Sequence, residues 1–175
     1  MSKVNLHNLY IISFFVFLSC ENKKFDSARL NDASLFHSAM QNLSDIIVYD
    51  IFSPPVASRV YLYPSIAAYE LMARDMPLKY KSLVGQVKDL TQIPEPERDF
   101  KNYNLNITIL YAFNKVGKAL IFSDELMDNF EKRFKNKLNS IGVPRNIRIA
   151  SEKYADKVAK HILDWSKDDL YNQTR

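Results

Sequence analysis

Only three glycines, Gly85, Gly117 and Gly142, occur in 175 residues, where average usage of about 7% would give roughly 12. Tight β-hairpin turns need backbone with positive φ, which glycine supplies at least cost. A chain this poor in glycine is therefore expected to be all-α. Its length fits one domain: without the first 19 residues 156 remain, enough to bury most of their apolar surface in a single core.

The apolar spacing supports helices. From Ile147 the positions Ile147, Ala150, Tyr154, Val158, His161, Ile162 and Trp165 recur at three and four residues, the period of one helix face. Pro144 opens that helix and Gly142 closes the preceding one. There, Ser123 is the expected N-cap, Asp124 and Glu125 fill the first turn, and Leu126, Phe130, Phe134 and Leu138 form the buried stripe. Earlier helices are expected at about Ser34 to Tyr49, Pro54 to Leu62, Pro64 to Arg74 and Leu105 to Leu120. Pro64 is expected to break or kink the middle pair with Tyr63 at the corner, because an interior proline loses a hydrogen bond and disfavours helical geometry in its predecessor. The segment Thr91 to Asp99 carries Pro94 and Pro96 among charges and reads as an exposed linker. The expectation is an all-α bundle of about five to seven helices.

Residues 1–19 have the order of a secretory signal peptide: basic Lys3, the apolar run Leu9 to Leu18, then Ser19 before Cys20. The run is about half the roughly 20 residues that span a bilayer as a helix. Cys20 is the only cysteine, so an intramolecular disulfide is excluded. With Glu21-Asn22-Lys23-Lys24 behind it, Cys20 resembles the lipidation site of a bacterial lipoprotein. In that reading its thiol carries diacylglycerol and holds the protein to a membrane, each buried methylene contributing about 0.8 kcal/mol. Phe17 is not the best residue three positions before such a cysteine, and the alternative is an ordinary secreted protein with a spare thiol. The domain reading is a signal peptide at 1–19, a tether at 20–33 and an all-α domain at 34–175, exported and anchored on the periplasmic or cell-surface side of a bacterial envelope.

The stretch Asp50 to Glu70 is the most distinctive in the chain. It contains adjacent Pro54 and Pro55 after Ser53, a third proline at Pro64, and Arg59 among Tyr61, Tyr63 and Tyr69. It resembles the N-terminal helical region of bacterial lipoproteins related to vanadium-dependent haloperoxidases and type 2 phosphatidic acid phosphatases (the PAP2 superfamily). Ser53, Pro54, Pro55, Arg59, Tyr63 and Pro64 form the signature. The plainer reading makes Ser53 an N-cap and Pro54 a first-turn proline, whose missing N–H costs nothing.

The resemblance implies a phosphate or vanadate site built from Lys-x6-Arg-Pro, Pro-Ser-Gly-His and Ser-Arg-x5-His segments. None is in this chain: the one Ser-Arg pair, Ser58-Arg59, is followed after five residues by Ser65. An oxyanion site requires clustered Arg and Lys donors and a histidine as nucleophile or apical ligand, but the histidines are His7, His37 and His161. The resemblance implies a catalytically inert N-terminal part with no cofactor of its own, whose catalytic half lies beyond Arg175 or has been lost, vanadate being expected only in a full-length relative. The competing class is a non-enzymatic helical surface lipoprotein acting as a binding or scaffolding module, and a third is a helical nutrient-binding lipoprotein of an outer-membrane uptake system.

Other constellations read as structural. The net charge of +4, with both signs interleaved, argues against a nucleic-acid surface. Lys132, Arg133, Lys135 and Lys137 sit near a helix C-terminus, where cations offset the macrodipole. His161, Asp164 and Asp168 only loosely echo metal-ligand spacing, with no second ligand set elsewhere. Arg59 is expected to be pinned by a carboxylate, Asp50 or Glu70, with neighbouring tyrosine faces for stacking.

Overall fold

The computed structural model describes Phe25 and residues 27–169. Among them lie five α-helices and no sheet: α1 (Ala33–Tyr49), α2 (Pro54–Asp75), α3 (Leu105–Leu120), α4 (Asp124–Ser140) and α5 (Arg145–Ser166). The all-α expectation holds. A 3-10 turn at Ser27–Leu30 precedes them and buries Leu30 in the core. The signal peptide and Cys20 lie outside the described residues.

Helix α3 is the axis of the bundle. It buries nearly every position from Ile107 to Gly117, sandwiched between α2 and α5 with α1 and α4 on its remaining flank. Gly117 permits the closest approach, since a Cβ there would stand 3.3 Å from Leu43 Cδ1 and 3.4 Å from Met127 Cε. Asn104 caps the helix, its side chain accepting from the Ile107 N–H at 3.1 Å, while its own N–H donates to Ser151 Oγ of α5 at 2.9 Å.

Two sequence expectations are corrected and a third is refined. Pro64 does not divide the middle helix, because α2 runs unbroken from Pro54 to Asp75. An interior proline costs about 3 kcal/mol relative to alanine, but Tyr63, Pro64, Ile66, Ala67 and Leu71 are all buried around it. At about 1.5–3 kcal/mol for each large apolar side chain, that packing exceeds the local penalty. Tyr63 is accordingly no corner; its ring meets Trp165 of α5 edge-on, centroids 5.6 Å apart.

Second, the buried stripe of α4 starts at Met127 rather than Leu126. Both positions fit the helical period ahead of Phe130, and only the location of α1 and α3 selects Met127. Third, the Thr91–Asp99 segment is a largely exposed loop, as expected, but it is held at several points. Leu90 and Ile93 are buried, His161 Nε2 lies 3.0 Å from the Thr91 carbonyl oxygen, and Lys157 donates to the Glu95 carbonyl at 3.2 Å. Its backbone is tied to α2 and α5, and Arg98–Phe100 forms a 3-10 turn.

Two helices end in the same backbone motif. At the close of α4, Val143 N–H donates to Leu138 O and Gly142 N–H to Asn139 O, both at 3.0 Å. At the close of α1, Phe52 N–H donates to Ile47 O and Ile51 N–H to Val48 O, both at 3.2 Å. This arrangement places one residue in the left-handed region, where glycine is favoured. Gly142 (φ 75°) satisfies that rule, whereas Ile51 (φ 55°) does not.

Candidate functional site

The signature residues occupy the start and middle of α2. Ser53 is the N-cap, with extended backbone but no side-chain cap bond, and Pro54 and Pro55 fill the first turn. Arg59 is half-buried, and Tyr63 and Pro64 are buried. The two carboxylates expected to hold Arg59 serve other groups. Asp50 Oδ2 accepts the N–H groups of Phe122 and Ser123 at 2.8 and 3.2 Å, and its Oδ1 accepts the Ser123 hydroxyl at 2.5 Å. Ser123 is thus the N-cap residue of α4 by position, with no side-chain cap bond of its own, and a carboxylate from the α1–α2 turn clamps the backbone just ahead of the helix. An anion at a helix N-terminus is stabilised by the partial positive charge there.

Glu70 is 2% exposed. Its Oε2 accepts the Ser82 hydroxyl at 2.6 Å and its Oε1 the Leu83 N–H at 2.7 Å, which fixes the loop after α2. One turn on, Arg74 forms a node that the sequence reading missed. It donates to Pro94 O at 2.7 Å and to the Tyr154 hydroxyl at 2.6 Å, and pairs with Glu95. Tyr103 donates to Asp75 at 2.8 Å and lies against Tyr154, centroids 4.8 Å apart. Burial pushes the Tyr154 hydroxyl up to about 12, against the opposing pull of Arg74; burial, then the bond to Asp75, raises Tyr103 still further. These groups are held as neutral phenols that cross-brace α2, α5 and the 76–104 loop.

Four of the remaining candidates, Arg133, Lys135, His161 and Asp164, are similarly committed. Lys135 pairs with Glu131 at 2.6 Å, and hydrogen bonding to that carboxylate raises its pKa. Arg133 lies over the Phe130 ring at 5.6 Å. Asp164 pairs with Lys160 and, at 2.6 Å, with Lys167, whose hydrogen bonds hold its carboxyl down to about 2. Among the described residues no group of three or more His, Cys, Asp or Glu could hold a metal ion. Nor does the donor set fit vanadate or phosphate: His161 is engaged at Thr91, His37 is exposed on α1, and Arg74 is committed to Glu95, Pro94 and Tyr154. No catalytic step is assigned to these residues.

What stands out instead lies at one end of the bundle. Val48 (76% exposed) and Tyr49 (69%) close α1, Ile51 (88%) lies in the α1–α2 turn and Phe122 (58%) in the α3–α4 turn. Phe122 leans on Phe52, centroids 4.9 Å apart, and the Asp50 clamp joins the two turns. Tyr49 and Leu126 then line a shallow cleft of about 280 Å³ between α1 and α4, flanked by Asp45 and Arg133. Exposed large apolar residues grouped at one end of a bundle are the kind of surface that interaction sites use. Sequence reasoning missed it, because an apolar residue at a helix end looks the same whether it is covered or not.

No protein-family model and no curated protein matches the chain. Among solved structures it is similar to a bacterial vanadium-dependent iodoperoxidase, with 35% sequence identity over 81% of this chain and a TM-score of 0.74. The relationship is therefore haloperoxidase-like in sequence as well as in fold. The chain spans only 33% of the length of that protein.

Proposed function

We propose that this chain is the non-catalytic, N-terminal helical part of a haloperoxidase- or acid-phosphatase-like exported lipoprotein, and that the vanadate- or phosphate-binding machinery belongs to a separate portion of polypeptide. The observation that carries this reading is the pairing of a 35% identical likeness that spans a third of the iodoperoxidase with side chains that, among the described residues, offer no oxyanion-binding cluster. The helices supply a rigid pack against which a catalytic half is seated, and Cys20, if acylated, holds the assembly at a membrane surface.

The test is direct. Purified chain given orthovanadate, hydrogen peroxide and iodide should oxidise no iodide above the buffer rate, and should release no phosphate from a phosphomonoester. Vanadate-dependent turnover by this chain alone would overturn the reading. For the anchor, Cys20→Ser should release the protein from membranes during export; unchanged membrane association would remove the lipid anchor from the account. A second reading, a helical surface lipoprotein complete in itself, draws support from the continuous core that all five helices share.

A further inference from the structure

We infer that the apolar end formed by Val48, Tyr49, Ile51 and Phe122 is the seat of the catalytic portion, the polypeptide equivalent to the part of the iodoperoxidase that this chain does not match. The inference rests on the reading above and adds which surface makes the contact. Three observations converge on it.

The first is Ile51. It occupies the left-handed position of the α1 end motif, the place that glycine takes in the same motif of α4. A β-branched residue there is a genuine outlier, and strain of this kind persists at sites where it serves a function. Since Ile51 is 88% exposed, its side chain contributes little to the core of this unit. Its apolar bulk is explained if something covers it.

The second is where the chain leads. Leu120, Leu163, Ser166 and Lys167 line one cleft of about 590 Å³, so α3 and α5 finish side by side, with Phe122 two residues past Leu120. Polypeptide continuing from α5 would leave the bundle at the end that carries the exposed patch. The third is the length of the relative: two thirds of the iodoperoxidase has no counterpart here, which is polypeptide enough to cover such a surface.

The experiment uses the protein expressed from its natural locus. The photo-crosslinking residue p-benzoylphenylalanine replaces Ile51 in one variant and Leu78, which is fully exposed beyond the far end of α2, in another. After illumination, peptides attached at position 51 should come from a polypeptide bearing the oxyanion-binding segments, in the same frame or co-purified, at a yield at least tenfold above position 78. With the crosslinker at Tyr49 instead, Ile51→Gly should cut that yield at least fivefold without lowering Tm, which separates lost docking from lost folding. Attachment to lipid, to a second copy of the helical unit or to nothing, while that polypeptide is present, would overturn the inference and leave the functional reading standing. Absence of any such polypeptide from the purified material, read by mass spectrometry without illumination, would overturn both.

Discussion

The two end motifs provide a reciprocal test of backbone strain. Gly142 and Ile51 stand at the same position of the same hydrogen-bonded turn, with φ of 75° and 55°. A Cβ built on Gly142 would meet nothing within 4 Å, so Gly142→Ile carries the conformational penalty of a left-handed L-residue, about 1–2 kcal/mol, without a steric clash at the Cβ. Ile51→Gly relieves the same penalty and forfeits almost no burial, the side chain being 88% exposed. Against this gain stands the greater freedom of glycine in the unfolded chain, about 0.5–1 kcal/mol. The net expectation is a stabilisation of about 0.5–1 kcal/mol for Ile51→Gly and, by the same balance reversed, a destabilisation of about 0.5–1 kcal/mol for Gly142→Ile. Both are read as shifts in urea midpoint at constant m, where a changed slope would signal an altered denatured state instead. If Ile51→Gly lowers the midpoint, Ile51 supports the core of this unit after all, and the argument that its bulk awaits a partner fails.

Glu70→Ala should destabilise the chain by about 3 kcal/mol, because two hydrogen bonds to a charged group are lost at about 1.5–3 kcal/mol each and with incomplete additivity. Glu70→Gln, which keeps an acceptor for Leu83 and a polar group for Ser82, should cost about 1 kcal/mol; equal losses for the two variants would refute the loop-pinning role. Asn114, buried on α3 with no hydrogen-bond partner for either amide atom among the described residues, should tolerate Asn114→Ala with a gain of about 1 kcal/mol, and a clear loss in thermal unfolding would contradict that. Tyr103, Tyr111 and Tyr154 all have raised pKa values, burial being the largest cause in each. Their folded pKa exceeds the unfolded value of 10, so the stability they contribute is fully present below pH 10 and is lost as pH rises toward about 12. Tyrosinate absorbance from these three should therefore appear together with loss of helical circular dichroism, and free titration in a folded chain would refute it.

Much of the fold was legible because helices announce themselves locally. Glycine scarcity, the 3.6-residue stripe of α5, Ser53 ahead of Pro54 and Pro55, and Gly142 at the close of α4 each state a local rule that the structure obeys. What failed required knowledge of neighbours. Pro64 reads as a break until α3 and α5 are seen to bury the residues around it, and Leu126 and Met127 are indistinguishable until the flank that meets α1 and α3 is known. Asp50 and Glu70 were recognised as charges near Arg59. That they clamp loops 72 and 13 residues away is a tertiary fact with no local signal. The Arg74–Tyr154 node spans 80 residues and was hidden for the same reason. The absence of the oxyanion-binding segments, by contrast, needed only the residues themselves.

The central claim is that these helices are a seat for catalytic machinery carried elsewhere in polypeptide. The measurement that bears on it most directly is the sequence that follows the Arg175 codon, taken together with the intact mass of the native protein and of whatever remains bound to it after purification from host membranes. The account predicts Lys-x6-Arg-Pro, Pro-Ser-Gly-His and Ser-Arg-x5-His segments either in a continuation of the frame or in a tightly associated chain. A native product that stops at Arg175 and purifies with no such partner would contradict it, and would leave a self-contained helical lipoprotein in its place.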